Sequence, residues 1–333
     1  TSVSAAEVAF DFLDPGDALT LSYDVAVGDG TTSVVETVTI TITGTNDRPV
    51  IAADGETIDA DGNVVAEGDG IATGDLAASV TETNLSEDDD TGTGAMLSDG
   101  GTVVFADADA DQTPTISVDT DAADIGVTYR QPDGSDGFTD VTPASGSDLE
   151  AAIAALVANA TISLNGGGAS LTAEDNFGAV GWAFSVDADL ANFLAEGEEL
   201  VLSYTVTVDD GGNVVTAANG DEVSTSTRTL TVTLTGTNDA PLVDVDASQL
   251  TGSLAEIAEG SAEPPERSAL PTGGAIAFTD ADLSYTPTVA VENGVVTVAY
   301  TPAGGSEATL TLDTSADNSG ATAFQQALLA LAV

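Results

Sequence analysis

The sequence predicts an all-β protein built of tandem antiparallel β-sandwich repeats with short helical insertions. Two observations carry this prediction. Apolar and polar residues alternate with a period of two, and long segments of the chain match one another without gaps. Clusters of Gly, Asp and Asn separate the alternating segments, as expected for the turns between strands.

A repeat organises the chain of 333 residues. Three pairs of segments match: 12–29 with 193–210, 37–49 with 229–241, and 101–118 with 274–291. We interpret 1–48 as the C-terminal part of one repeat, 49–240 as a complete repeat with insertions, and 241–333 as the N-terminal part of the following repeat. We therefore expect the chain to be an excerpt of a longer protein.

The strand pattern is clearest in the segments that lead out of each repeat. Leu202, Tyr204 and Val206 alternate with Ser203 and Thr205. The exit segments TVTITIT and TLTVTLT alternate in the same way, with threonine on one face. Such alternation is typical of antiparallel sheet with one buried face and one solvated face.

Two short helices are predicted at equivalent places in two repeats. The segment 147–150, Ser-Asp-Leu-Glu, is a capping box that opens a helix ending near Ala158, and a counterpart is expected at 322–332. The complete repeat is longer than a minimal sandwich. We assign its extra length to insertions at 52–78 and 119–180, made of hairpins and the first of these helices.

Acidic residues dominate the composition. The chain has 56 acidic and 4 basic side chains, a net charge of −52, yet 42% of its residues are hydrophobic, so a core can be buried. Nucleic acid and anionic membranes are excluded as partners because both repel such a surface. No segment is long and apolar enough for a membrane helix, so no membrane insertion is expected.

Cysteine and histidine are absent, and the basic residues are all arginines. Without them the chain lacks disulfides, Ser–His or Cys–His nucleophiles and a Schiff-base lysine. Only a carboxylate pair could act in catalysis, and such pairs are too common here to be informative. We therefore expect no enzyme activity.

Several motifs together resemble a known group of repeats. They are the exit GTNDAP, the runs FADAD and FTDAD, an acidic residue late in the first strand, and EDNFGAVGWAFS at 174–185. This combination resembles the VCBS and cadherin-like repeats of large type I-secreted RTX adhesins and biofilm proteins. The resemblance implies Ig/cadherin-like sandwiches, stiffened by calcium between neighbouring repeats, in an adhesive rod on the bacterial surface or in the biofilm matrix. Arg48 departs from the pattern where the second exit has Ala240.

Oxygen-bearing side chains are expected to collect at the two junctions, because strand direction decides which end of a sandwich each residue reaches. The predicted ligands are Asp17, Asn46, Asp47, Asp107 and Asp109 at the first junction, and Glu82, Glu198, Asn238, Asp239, Asp280 and Asp282 at the second, with Glu256 equivalent to Glu82 in the third segment. Such sets suit Ca²⁺, which takes about 6–8 oxygen ligands, better than Mg²⁺. Zinc is disfavoured without His or Cys. The acidic loops 59–63 and 87–90 are expected to be solvated rather than ion-binding.

Two other functions stay open. The ends of the chain could complement one another between identical chains and form a head-to-tail extracellular filament. Alternatively, the threonine ladders at 37–43 and 229–235 could belong to a carbohydrate-binding module that contacts cell-surface or matrix glycans. The single tryptophan, Trp182, could line a sugar cleft, but a core position is expected.

Overall fold

A computed structural model describes residues 10, 12–59, 62–66, 70–82, 95–109, 113–165, 177–211, 215–216, 222–251, 274–285, 287, 289, 295–300 and 308–313. The chain separates into two compact units, Thr1–Tyr285 and Thr286–Val333. In the second unit, β20 (Val295–Tyr300) and β21 (Ala308–Asp313) form an antiparallel pair. The predicted helix at 322–332 lies outside the described residues.

The first unit contains the two linkers and the strands around them. Its described strands are β1 (Ala18–Gly28), β2 (Ser33–Thr43), β3 (Val50–Ile51), β4 (Thr57–Ile58), β5 (Val64–Val65), β6 (Ala72–Thr73), β7 (Ala77–Thr81), β8 (Met96–Ala106), β9 (Thr115–Val118), β10 (Gly126–Pro132), β11 (Phe138–Asp140), β12 (Thr161–Asn165), β13 (Phe177–Asp187), β14 (Glu199–Asp209), β15 (Val215–Thr216), β16 (Glu222–Val223), β17 (Thr225–Thr235), β18 (Leu242–Asp244) and β19 (Ala277–Thr279). The helix α1 (Asp148–Asn159) and a 3₁₀ turn (Ala188–Leu190) interrupt them.

Two sheets face each other in the middle of this unit. One has the strand order β11-β10-β14-β17-β7, with β9 also pairing with β14, and the other has the order β12-β13-β8-β3. Trp182 and Phe184 on β13 and Phe105 on β8 pack in the core with Leu202 and Tyr204 on β14. The predicted all-β antiparallel sandwich is therefore confirmed. The pairing of β7 with β17 is parallel, from Ala77 opposite Thr231 to Thr81 opposite Thr235.

The repeat found in the sequence recurs in the strand register. β1 pairs with β2 from Ala18↔Thr43 to Gly28↔Ser33, and β14 pairs with β17 from Glu199↔Thr235 to Asp209↔Thr225. Each residue pair of the first hairpin corresponds to an aligned pair of the second. The alternating residues of β14 are buried as the period-two pattern predicts.

The predicted insertions contain the expected elements. A three-stranded sheet, β5-β4-β6, lies within 52–78, and the hairpin β10–β11 and helix α1 lie within 119–180. The Ser147 hydroxyl accepts a hydrogen bond from the Glu150 N–H at 3.2 Å, which confirms the N-cap. The buried face of α1, with Leu156 fully enclosed, packs on the core.

Trp182 is a core residue, as expected. It is 2% exposed, and its indole Nε1 donates a hydrogen bond to the Asp75 carbonyl at 2.7 Å. The close approach explains a glycine on the paired strand: a Cβ at Gly101 would lie 2.4 Å from the same carbonyl oxygen. A sugar cleft lined by the Trp182 ring is therefore ruled out. None of the described helices is long and apolar enough to cross a membrane.

Candidate metal sites at two linkers

Strand direction carries acidic residues to both linkers. Linker 1 is residues 44–49, between β2 and β3, and linker 2 is residues 236–241, between β17 and β18. β8 ends beside β3, since Ala106 pairs with Val50, and the run Asp107–Asp109 therefore emerges next to linker 1. β7 ends beside the end of β17, and the Glu82 N–H donates to the Thr235 carbonyl at 2.9 Å, so Glu82 lies next to linker 2.

The first cluster surrounds linker 1. The Asp47 N–H donates to Asp109 Oδ2 at 2.8 Å, and the Asp109 N–H donates to Asp107 Oδ1 at 3.2 Å. The Asn46 Nδ2 donates to Asp210 Oδ2 at 2.7 Å, across 164 residues of sequence. Asn46, Asp107, Asp109 and Asp210 are all buried. Linker 1 is thus joined by hydrogen bonds to residues that follow two different strands, β8 and β14.

The second cluster repeats these contacts at linker 2. The Asp239 N–H donates to Asp282 Oδ2 at 3.1 Å, and the Asp282 N–H donates to Asp280 Oδ1 at 3.2 Å. From the preceding sandwich, Glu82 Oε2 accepts the Thr237 N–H at 3.2 Å. Glu82, Asp239 and Asp282 are buried. The same backbone-to-carboxylate pattern therefore occurs at two places that are distant in sequence.

Glu198 joins the second cluster from the start of β14. Its Oε2 accepts the Ala195 N–H at 3.0 Å, and its Oε1 accepts a hydrogen bond from Gln131 Nε2 at 2.8 Å. The side chain is 3% exposed. It also acts electrostatically on Asp282 from across the linker. A buried carboxylate with several donors of its own is held in one place, as a metal ligand must be.

A glycine opens each linker because the chain passes very close to a neighbouring turn. A Cβ at Gly44 would lie 2.2 Å from the Leu13 carbonyl oxygen, and a Cβ at Gly236 would lie 2.2 Å from the Leu194 carbonyl oxygen. The Gly236 N–H donates to the Glu198 carbonyl at 2.9 Å. No other residue type fits at such distances, so the two glycines fix where the following Asn-Asp pair enters its cluster.

Burial makes ionisation of the first cluster unfavourable. The pKa of Asp107 is raised to about 7, chiefly by desolvation and also by the nearby charges of Asp109, Asp210 and Asp47, while the hydrogen bond from the Asp109 N–H acts in the opposite direction. The pKa of Asp109 is also raised to about 7, first by desolvation and then by Asp47, Asp14 and Asp210. These carboxylates resist becoming anions together, which is the electrostatic setting that a bound cation reverses.

The second cluster has the same electrostatics. Burial raises the pKa of Glu82 to about 8, with added repulsion from Asp239 and Asp282. Burial also raises the pKa of Asp282 to about 6, with repulsion from Asp239, Asp280 and Glu198. The repelling charges come from both sides of linker 2, so this repulsion acts between the sandwich and the segment that follows it.

The oxygen atoms of these side chains are suitable ligands for a hard cation such as Ca²⁺. In the structure, however, they do not surround one common point. Asp107 Oδ2 and Asp282 Oδ1 are buried and accept no hydrogen bond from the described residues, so each cluster has an oxygen directed at no donor. Within the described ranges, no group of three or more acidic side chains is arranged to hold a metal ion as it stands. Ion binding therefore requires side-chain rotations that turn these oxygens towards one another.

The structure brings together most of the predicted ligands. Those placed at a cluster are Asn46, Asp47, Asp107, Asp109, Glu82, Glu198, Asp239, Asp280 and Asp282. Asn238 is exposed, and its Nδ2 donates to the Asp239 carbonyl at 2.9 Å. Glu256 lies outside the described residues, as does the acidic loop 87–90.

Asp17 is another predicted ligand that the structure does not place at a cluster. Its side chain is exposed, and Asp14, three residues earlier, acts on Asp109 instead. Asp210 is a second residue that the sequence analysis missed. It could have been found, because β14 runs towards linker 1 and Asp210 follows its last residue, just as Asp107 follows β8.

In the acidic loop 59–63, the described residues make short-range hydrogen bonds. The Asn63 N–H donates to Asp59 Oδ1 at 2.9 Å, and the Gly62 N–H donates to the Asp59 carbonyl at 3.1 Å. These contacts are local and are of the kind that an Asp side chain makes in turns. Residues 60 and 61 lie outside the described part of the chain.

Comparisons with known proteins add little to this geometry. No protein-family model matches the chain, and no curated protein is similar to it. Among solved structures, the chain is similar to AggA, the major subunit of aggregative adherence fimbriae type I from Escherichia coli, with 14% identity and a TM-score of 0.23. The alignment covers 49% of this chain and 91% of that one. A similarity at this level carries no argument about function.

Proposed function

We propose that this chain is a calcium-stiffened extender of a secreted bacterial surface or biofilm-matrix protein, and that its repeats form a structural rod for cell adhesion. The observation that supports the proposal most directly is the repeated cluster of buried carboxylates at linkers 1 and 2. The resemblance of the GTNDAP exits to VCBS and cadherin-like repeats supports the extracellular location.

The physical argument rests on what buried carboxylates cost. Carboxylates that share a site without a countercharge destabilise it, because each must lose its hydration and repel the others. A calcium ion offsets both effects, because its positive charge attracts each carboxylate in place of the lost water and outweighs their mutual repulsion. Asp47, Asp107, Asp109 and Asp210 would hold the ion at linker 1, and Glu82, Glu198, Asp239 and Asp282 would hold the ion at linker 2.

The two linkers then act as calcium-dependent hinges. Extracellular calcium modules typically bind with constants of about 10⁻⁴–10⁻³ M. At a hundredfold excess of ion over that constant, each site gains about 2.7 kcal/mol. This energy acts between neighbouring repeats rather than inside one core, so calcium should change the stiffness of the chain more than its secondary structure.

Small-angle X-ray scattering with calcium and with EGTA tests the proposal. We expect a longer, better-defined maximum dimension with calcium and a shorter, broader distance distribution in EGTA, with an unchanged β-sheet signal in circular dichroism. The double variant Asp109→Asn/Asp282→Asn should lose the calcium response. Asp140→Asn, an exposed aspartate on β11, is a charge-matched control for one of these changes and should keep it. Identical dimensions in calcium and EGTA would refute the proposal.

A second candidate function, head-to-tail filament assembly, is favoured by a different observation. Tyr23 and Val25 on β1 are 52% and 45% exposed, whereas the aligned Tyr204 and Val206 on β14 are 2% and 0% exposed. The hairpin β1–β2 therefore exposes an apolar face, and the equivalent face of the hairpin β14–β17 is buried in the core.

The third repeat segment carries apolar residues of the opposite sheet. Ile276 and Phe278 are 50% and 36% exposed, and they align with Val103 and Phe105 of β8, which are fully buried. These residues from one copy could cover the β1–β2 face of another copy and complete a sandwich between them.

Light scattering in calcium distinguishes the two functions. Filament assembly predicts a mass that rises with concentration and falls to a monomer in Val25→Lys, because the new charge lies on the apolar face. Thr39→Lys, on the opposite face of the hairpin, should leave assembly intact. A monodisperse monomer at all concentrations would remove this second candidate.

A further inference from the structure

A small cleft lies where the segment after linker 1 meets the start of β17. Arg48 and Ile51 line one wall, and residues 225–228 line the other, around a volume of about 210 Å³. The walls are joined by two side-chain hydrogen bonds. The Ser226 hydroxyl donates to the Pro49 carbonyl, and the Arg228 Nε donates to the Ile51 carbonyl at 3.2 Å. The cleft is therefore held in shape by the fold.

This cleft contains two of the four basic residues of the chain, Arg48 and Arg228. In the repeat alignment the equivalent positions are Ala240 and Glu36, so both arginines depart from the repeat, and they do so at one place. A sandwich that needed these charges for folding would be expected to keep them in each copy. The pair is thus a property of the complete repeat alone.

Neither arginine is used in an ion pair within the described residues. Arg130 pairs with Glu199 at 2.5 Å, whereas neither Arg48 nor Arg228 has a described carboxylate within ion-pair distance. With 56 acidic side chains in the chain, a carboxylate partner would be easy to supply. Two guanidinium groups beside one cleft, with no carboxylate partner among the described residues, are suited to binding an anion.

We propose that this cleft binds the carboxylate of an acidic sugar residue. Guanidinium groups bind carboxylates through paired, charge-assisted hydrogen bonds. The Ser226 hydroxyl lies on the same face of β17 as Arg228, and after it donates to the Pro49 carbonyl its oxygen can still accept a hydrogen bond from a sugar hydroxyl. The cleft is smaller than the pockets of about 300–1,000 Å³ that hold drug-sized ligands, so it suits a single sugar residue. The inference goes beyond the proposed function and does not depend on calcium.

The charge of the whole chain makes this site distinctive. A net charge of −52 repels anions from most of the surface. An acidic glycan would therefore be bound only where the local positive potential exceeds that repulsion. A chain that carries this cleft on one repeat could bind acidic glycans in preference to neutral ones there, while the rest of its surface still repels anions.

Isothermal titration of the full chain with sodium glucuronate, glucose and inorganic phosphate tests the proposal. We expect measurable binding of glucuronate, with glucose and phosphate each bound at least tenfold more weakly. Arg48→Ala introduces the residue of the other repeat, and Arg228→Gln removes the second guanidinium. Each should weaken glucuronate binding about tenfold or more, since charge-assisted hydrogen bonds are lost.

The control variant is Arg130→Gln, which removes the same charge on another strand and should leave glucuronate binding within twofold. Trp182 fluorescence verifies that each variant is folded, because this residue lies in the core of the same repeat. Binding of phosphate as tightly as glucuronate would overturn the assignment to an acidic sugar. The absence of glucuronate binding, or binding that neither arginine variant weakens, would overturn the site. The calcium response in scattering is a separate readout, so either proposal can fail alone.

Discussion

Replacing Asp109 by Asn should stabilise the calcium-free protein and weaken its response to calcium. Asp109 is 0% exposed, and its pKa is raised to about 7 from 3.8 by burial and by neighbouring carboxylates. Asn has nearly the same shape and can still accept the hydrogen bond from the Asp47 N–H. The variant therefore removes the charge while the backbone contact is kept.

The magnitude follows from linkage. The pKa of Asp109 is higher in the folded state than in the unfolded state, so its contribution to stability is fully present below pH 3.8 and is lost as the pH rises through about 7. Near pH 8, a difference of about 3 between these pKa values corresponds to about 4 kcal/mol, which Asn would recover. At pH 5.5 the gain should fall to about 2 kcal/mol, because the folded-state carboxyl is then protonated.

Urea unfolding followed by Trp182 fluorescence measures this effect. Trp182 is the single tryptophan and is buried in the complete repeat, so its emission reports on the unfolding of that repeat. The measurements are made in EGTA at pH 8 and pH 5.5, and in calcium at pH 8. Wild type should gain about 2.7 kcal/mol from a hundredfold excess of calcium, and Asp109→Asn should gain clearly less.

Asp140→Asn serves as the control because its side chain is exposed on the same repeat. It should change the free energy of unfolding by less than about 0.5 kcal/mol in each condition. The reasoning would be refuted if Asp109→Asn lowered stability in EGTA at pH 8, or if calcium stabilised the variant as much as wild type. Either result would mean that the buried charge is not what makes linker 1 depend on an ion.

Three further predictions concern protons, linker geometry and the helix. Calcium binding near pH 7 should release about one proton from linker 2, because Glu82, with a pKa of about 8, must ionise to act as a ligand; calorimetry in buffers of different ionisation enthalpy measures this number. Gly236→Ala should lower the free energy of unfolding, measured with urea, by about 3 kcal/mol or more, since its Cβ would lie 2.2 Å from a carbonyl oxygen. Gly181→Ala, whose Cβ would have its nearest contact at 3.6 Å, should lower the free energy of unfolding far less. Ser147→Ala should cost about 1 kcal/mol and reduce hydrogen-exchange protection at the start of α1, and protection that stays unchanged would argue against the cap.

The fold was predictable because the same local rules operate in each copy of the repeat. The period-two alternation around Tyr204 identifies the buried face, and the aligned hairpin has the same register. The capping box identifies the start of α1. Sequence alone did not predict that β7 would pair in parallel with β17, because that pairing depends on how the two sheets close around the core rather than on any local pattern.

Strand direction was enough to predict most positions of the candidate sites, whereas the difference at Asp17 comes from side-chain length. Asp17 and Glu198 align, and their backbones make equivalent contacts, since their carbonyls accept from Gly44 and Gly236. Glu198 is one methylene longer, and its carboxylate folds back onto the preceding turn. The shorter Asp17 stays exposed, and the first cluster takes its charge from Asp14. An alignment preserves the backbone position but not the reach of the side chain.

A carboxylate in a turn and a carboxylate at a linker differ in how far away in sequence their hydrogen-bond partners lie. Asp59 accepts a hydrogen bond from the Asn63 N–H, four residues away. Asp109 accepts from the Asp47 N–H, 62 residues away, in a place where other buried carboxylates surround it. A local turn gains from its own hydrogen bonds and leaves its charge in water. The carboxylate of Asp109 is buried instead, so we expect calcium to matter at the linkers before it matters at a local turn of this kind.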